Sequence, residues 1–225
     1  MSVQSFQKLL EVVETLHGPK GCPWDKKQKV SNLKNYILEE VYELCDAIEA
    51  GDADLVKEEV GDLFLLLVTL SHLFKQKKRF TAEDALKAIT TKLIIRHPHV
   101  FSDKKLKTSR AVLAMWVKAK SKKKKRRSIY DRIPKSSPAL FSSYLFSKEL
   151  RHLQKGVLGD QKAKLLKSLA KYKRSGHNQE LTDIIFYAAC ILSSGTRNPE
   201  SLVRKKVIRE SSRVLYGKDA PRKKK

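Results

Sequence analysis

Apolar residues recur along this chain at three- and four-residue intervals, the spacing that gathers them on one face of a helix. Phe6, Leu9, Leu10, Val13 and Leu16 keep that spacing until Gly18-Pro19 breaks it, which predicts a first helix over residues 2–16. From Ser31, the predicted N-cap, Leu33, Ile37, Val41, Leu44 and Ile48 mark the face of a second helix ended by Gly51. A short turn through Asp54 leads into a third helix, apolar nearly all round beyond Asp62 and so expected at the centre, antiparallel to the second. Thr81-Ala82-Glu83-Asp84 has the form of a capped start, and Leu86, Ile89, Leu93 and Ile94 carry a fourth helix to His97-Pro98. Gly21-Cys22-Pro23-Trp24-Asp25 reads as a rigid loop that its tryptophan tucks onto the core. The pattern predicts an all-α fold that opens with a four-helix-bundle-like domain.

Beyond it, Ser109 is expected to start a short helix holding Met115 and Trp116. Eight of the ten residues from Lys118 to Arg127 are basic, a self-repelling run that marks a linker. Pro134 and Pro138 then give an extended entry to further helices, around Leu140–Leu150, Leu165–Tyr172 and Leu181–Leu192, with a last one capped at Asn198-Pro199-Glu200. The expected organisation is a domain at 1–120, a basic linker at 121–132, a smaller helical domain at 133–217 and a basic tail at 218–225.

Charge changes this picture by adding a class of partner. Forty-eight basic residues against 24 acidic ones give +24, which favours polyanions: nucleotides, nucleic acid or anionic head groups. The linker and tail are the expected places for non-specific nucleic-acid contact. Cys22, Cys45 and Cys190 are widely spaced and odd in number, which fits a reducing, cytoplasmic setting. No signal or transit peptide is expected from the amphipathic start, and the longest apolar run, Leu63–Leu70, is too short to span a membrane.

Candidate chemistry lies in two acidic segments, Glu39-Glu40-Val41-Tyr42-Glu43 and Glu58-Glu59-Val60-Gly61-Asp62. Glu59 stands within the stripe of Leu55, Leu63, Leu66 and Leu70, with Asp62 at its edge. Carboxylates drawn into an apolar stripe must be paired, protonated or metal-bound. An antiparallel pair of helices brings both segments to one level, and hard divalent cations, Mg²⁺ above all and also Mn²⁺, suit such a set of oxygens and share their shell with substrate phosphates. Lys92 and Arg96, one turn apart at the end of the fourth helix, serve either the helix dipole or a phosphate clamp. His97 and His99 lack a third ligand nearby and read as structural. No P-loop, nucleophile elbow or zinc pattern is present.

The ordered set Gly21-Cys22-Pro23-Trp24-Asp25, Glu39-Glu40-x-x-Glu43, Glu59-x-x-Asp62 and Lys92-Leu93-Ile94-Ile95-Arg96-His97-Pro98-His99-Val100-Phe101 resembles the MazG nucleoside triphosphate pyrophosphohydrolases over residues 5–120. The resemblance implies hydrolysis of a nucleoside triphosphate between its α and β phosphates, giving a nucleoside monophosphate and pyrophosphate. Carried over by position, Glu40, Glu43, Glu59 and Asp62 would hold Mg²⁺, Lys92 and Arg96 would bind phosphates, Trp116 would lie near the nucleotide and Glu39 would act from the second rank or as general base. The family pattern has threonine where this chain has Lys29. The resemblance and the helical surfaces favour a homodimer.

Residues from Ile133-Pro134 to Leu150 resemble the opening of a second MazG repeat, and Glu180-Leu181-Thr182-Asp183 its second acidic element. Where the first acidic element belongs, the chain offers Leu166, Lys167 and Ala170, with Lys167 expected to face Glu180 and Asp183. Arg209 and Arg213 keep the basic pair. This half is read as a degenerate repeat without a metal site. The competing function is nucleic-acid binding or regulation on a retired scaffold, and a third reading pairs the acids internally with lysines.

Overall fold

Four helices, α1 (Val3–His17), α2 (Val30–Ala50), α3 (Ala53–Gln76) and α4 (Ala82–Arg96), follow one another with a 3₁₀ turn at Asp25–Lys27 after the first. The short α5 (Pro98–Phe101) comes next, then α6 (Ala139–His152), α7 (Gln161–Ser175), α8 (Asn178–Leu192) and α9 (Pro199–Tyr216). This computed structural model describes residues 3–102, 108, 110–112, 114, 115, 132–152, 160–193 and 198–216, and among them there is no strand. The fold is all-α, and the chain divides into two compact units, Met1–Leu106 and Lys107–Lys225. Trp116, the basic run at 118–127 and the tail at 218–225 lie outside the described residues.

Turn chemistry joins α2 to α3. Gly51 takes the left-handed conformation (φ 72°) that ends α2, and Asp52 then caps α3, its side chain accepting from the N–H groups of Asp54 at 3.0 Å and Leu55 at 3.2 Å. Two residues thus reverse the chain, and the helices they join are antiparallel neighbours. At α4, Thr81 and Asp84 form a reciprocal capping box. The start of α2 differs from expectation. Its N-cap is Lys29, not Ser31, and no side chain satisfies the first amides there. The helix begins instead at half-buried Val30, one residue before the serine, whose hydroxyl donates to Asn32 Oδ1.

Helix α3 is central in the first unit, packing on α2 and α1 and meeting α4. Val13, Leu33, Ala47, Val68 and Leu73 form the buried core. On α2 the inward line is Leu33, Ile37, Glu40, Leu44 and Ala47, all buried or half-buried, whereas Val41 and Ile48 of the expected stripe are exposed, Ile48 to 60%. The stripe is therefore turned toward Glu40, because α3 lies against that sector. Leu55 is likewise exposed. Helix α4 buries no side chain: Leu86, Ile89, Leu93 and Ile94 share its length but stay exposed.

In the second unit α7 and α8 form another antiparallel hairpin, turned at Gly176 (φ 65°). Helix α6 packs on α8 and α9 on α6 around Leu150, Ala189 and Cys190, with Phe146 and Phe186 rings 5.8 Å apart. Asn198 Oδ1 accepts from the Glu200 N–H at 3.0 Å, and the Glu200 carboxylate accepts from the Phe141 N–H, so the last helix is tied to the start of α6. All three cysteines are free, and burial pushes the Cys190 thiol up.

Candidate functional site

The α2–α3 hairpin decides which acids meet. Glu43 stands eight residues before Gly51 and Glu59 eight after it, so antiparallel pairing sets them level, with Glu40 one turn from Glu43 on the inward face. Carboxylate oxygens of Glu40, Glu43 and Glu59 lie within 4.8 Å of one another. Asp62, one turn beyond Glu59, is close enough that its charge acts on Glu40. The Glu40 carboxyl is pushed up to about 6, by burial first, then by the negative charges of Asp62 and Glu43 and by the adjoining Glu59.

Elsewhere in the unit several acids are ion-paired one turn away or across a seam: Glu11 with Lys8, Asp54 with Lys57, Glu83 with Lys87, Glu14 with Lys75. Among the described residues no lysine or arginine pairs with Glu40, Glu43, Glu59 or Asp62, which speaks against the internally paired reading. Glu59 Oε2 is buried with no hydrogen-bond partner at all. Converging like charges and an orphaned carboxylate oxygen are costly in a half-buried seam, and a divalent cation with oxygen preference relieves both.

The remaining candidates are distributed around the cluster. Glu39 is exposed on α2, next to the cluster in sequence and outside it in space. Lys92 is exposed and Arg96 half-buried, one turn apart on α4, and neither forms an ion pair with the acids. His97 Nδ1 donates to the Leu93 carbonyl at 2.7 Å and its ring lies 5.6 Å from that of His99, while no third metal-type ligand joins them among the described residues.

Trp24 was expected to anchor its loop on the core and does not: it is 59% exposed. Its ring instead lies 6.2 Å from Tyr36, tilted by 43°. Tyr36, Glu40 and Glu43 share one face of α2, so an open aromatic pair stands about one turn from the acids. The signal was Tyr36 at four residues before Glu40, hidden by reading Trp24 as an anchor on the core.

Residues 28–101 match the family model described as MazG nucleotide pyrophosphohydrolase domain. About a third of the chain is thus similar to that domain. The chain is 41% identical over 137 residues to the uncharacterized protein YabN of Bacillus subtilis, covering 60% of this chain and 28% of that one. Over 137 residues it is 39% identical to the nucleoside triphosphate pyrophosphohydrolase/pyrophosphatase MazG of Thermotoga maritima, covering 60% of this chain and 52% of that protein. A nucleoside triphosphate pyrophosphohydrolase of Escherichia coli is 38% identical over 150 residues, 65% of this chain and 57% of its own length. The chain thus spans about half, or less, of these relatives. The matched segment takes in α2, α3, α4 and α5, and with them every acid of the cluster.

Among the described residues of the second unit no such acidic cluster forms. Glu180, like Glu59, has a buried Oε2 without a partner. It stands four residues after Gly176, level with Tyr172, whereas Lys167 stands nine before the turn. That offset of more than a helical turn explains why no ion pair joins Lys167 to Glu180; Asp183, seven residues after the turn, is nearer its level and forms no ion pair with it either among the described residues.

Proposed function

We propose that this chain hydrolyses nucleoside triphosphates between the α and β phosphates, releasing a nucleoside monophosphate and pyrophosphate. The observation that carries the reading is the convergence of Glu40, Glu43 and Glu59 around an unpartnered Glu59 oxygen, with Asp62 beside them. The names of the Thermotoga and Escherichia relatives support the same reaction. Those four acids would hold Mg²⁺ or Mn²⁺, which when bound neutralises a polyphosphate and lowers the pKa of a coordinated water. Lys92 and Arg96 bind phosphate oxygens, and Trp24 against Tyr36 offers a face on which a base stacks. Glu39, exposed at the rim, orients the attacking water or accepts its proton.

In a Mg²⁺-dependent assay of pyrophosphate release, Glu59→Gln should lower kcat/KM by more than about 100-fold, beyond what loss of an outer hydrogen bond to a metal ligand usually costs. Trp24→Ala should mainly raise KM. Turnover that survives Glu59→Gln unchanged would remove the cluster from the reaction.

The exposed apolar residues of α4 and α5, from Leu86 and Ile89 to Val100 and Phe101, support a homodimer in which a second copy covers them. The second unit acts in this scheme as a degenerate repeat that keeps helical packing and lacks a metal site.

A further inference from the structure

The charge of the chain is divided unequally. Residues 1–106 hold 16 basic and 16 acidic side chains, and residues 107–225 hold 32 and 8, so the second unit carries the whole excess of +24. Helix α7 concentrates it: Lys162, Lys164, Lys167, Lys171, Lys173 and Arg174 stand in 15 residues that contain no acid. In the first unit the helices place carboxylates one turn from their lysines. None of the six on α7 forms an ion pair among the described residues.

Position sharpens this. At about 100° per residue, Lys164, Lys167, Lys171 and Arg174 fall in a sector roughly 80° wide, beside the face that buries Ser168. Lys164 Nζ rests over the Tyr187 ring, 5.9 Å from its centroid, which holds one end of the row against α8. Lys167, Lys171 and Arg174 are exposed. Like charges at three- and four-residue spacing repel and destabilise a helix, so the row is an uncompensated load until a counter-charge arrives from outside. Its span from Lys164 to Arg174 is about 15 Å. A single small anion matches one turn of such a row; a backbone of regularly spaced phosphates matches all of it. A lipid surface fits less well, because the other face of α7 is packed on α8 and its exposed apolar residues are few, chiefly Leu166 at 65% and Leu169 at 38%.

We propose that α7 is a sequence-independent nucleic-acid-binding surface, on which the sugar-phosphate backbone runs along Lys164, Lys167, Lys171 and Arg174. The interaction is separate from triphosphate hydrolysis and from any contact made by the linker and tail. It makes the second unit a tether that holds a nucleotide hydrolase near nucleic acid.

The test uses the full chain, labelled single-stranded and duplex oligonucleotides of mixed sequence, and a salt series read by fluorescence anisotropy. The triple substitution Lys167→Gln/Lys171→Gln/Arg174→Gln should shrink the log–log salt slope for single strands by about 2 and weaken binding roughly 100-fold at 0.1 M monovalent salt. Glutamine is close to lysine in helix propensity, so helicity by circular dichroism should be unchanged. Lys162→Gln/Lys173→Gln removes charge from the other flank of the same helix and should have the smaller effect per charge. Equal loss per charge from both variants would overturn the row, as would a triple variant with unaltered affinity and slope. Binding to phosphatidylserine vesicles with none to either oligonucleotide would overturn the choice of partner.

Discussion

Glu40 occupies a packing position. Leu33, Ile37, Leu44 and Ala47 continue its line on α2, and a leucine there would complete the seam with α3. Replacing a half-buried, repelled carboxylate by an isosteric apolar group should therefore stabilise the metal-free protein, on the order of 1 kcal/mol, while ending metal binding. Denaturant unfolding of Glu40→Leu, paired with Mn²⁺ calorimetry, checks both halves; a destabilised variant would mean that the hydrogen bond between Glu40 and Glu59 outweighs the repulsion. His72 offers a second residue-scale expectation. It lies on α3 with its ring 4.9 Å from that of His17, and Glu14 from α1, Glu83 from the start of α4 and Lys75 on its own helix surround it. Burial, followed by the His17 ring, holds its pKa below 6.5; Glu14 acts in the opposite sense and Lys75 in the same. Because the folded pKa is depressed, the unfolded chain takes up the proton first. The neutral ring's contribution is complete above the unfolded value and is lost as pH falls from about 6.5 toward the folded value. Stability measured at pH 8 and at pH 5.5 should differ more for the wild type than for His72→Gln.

At the scale of elements, the capped helices follow local rules and one helix does not. Asp52 and the Thr81–Asp84 box satisfy the first amides of α3 and α4, but α2 begins at Lys29 with none satisfied by a side chain. The Lys29 backbone is already extended (φ −122°, ψ 154°), the conformation an N-cap requires. Lys29→Thr should thus raise stability by about 1 kcal/mol without moving the chain, read as a higher denaturation midpoint at constant m-value. An unchanged midpoint would show that water already serves those amides as well. The hairpin connections and helix types were legible in the sequence, since Gly51, Asp52, Thr81 and Asn198 act through bonds to neighbours within a few residues. The rotation of α2 was not legible, because the pattern of Val41, Ile48 and Leu44 allows more than one apolar sector and only the partner helix selects one.

On the scale of the whole molecule, the first unit is electroneutral and openly apolar, and the second is the basic one. Apolar faces on a neutral surface associate, whereas the same faces on a strongly cationic one repel. A homodimer is accordingly expected through the first unit. Ile89→Glu on exposed α4 should convert the dimer to a monomer in sedimentation velocity with helicity retained, and a wild type that sediments as a monomer at micromolar concentration would refute the assignment. Among the described residues no helix is long and apolar enough to cross a membrane, so the exposed leucines and isoleucines do not form a spanning segment.

The sequence by itself determined the all-α fold, the approximate helix limits, the acidic segments and the MazG resemblance, because periodicity, caps and motif spacing are properties of short stretches of chain. Only the tertiary structure decided that Glu40 stands in the packed seam, that Glu59 keeps an oxygen without a partner, that Trp24 opens beside Tyr36, and that Lys167 misses Glu180. Each of these depends on the level and rotation at which two helices meet. Burial and pairing are relations between surfaces, and no helix carries that information alone.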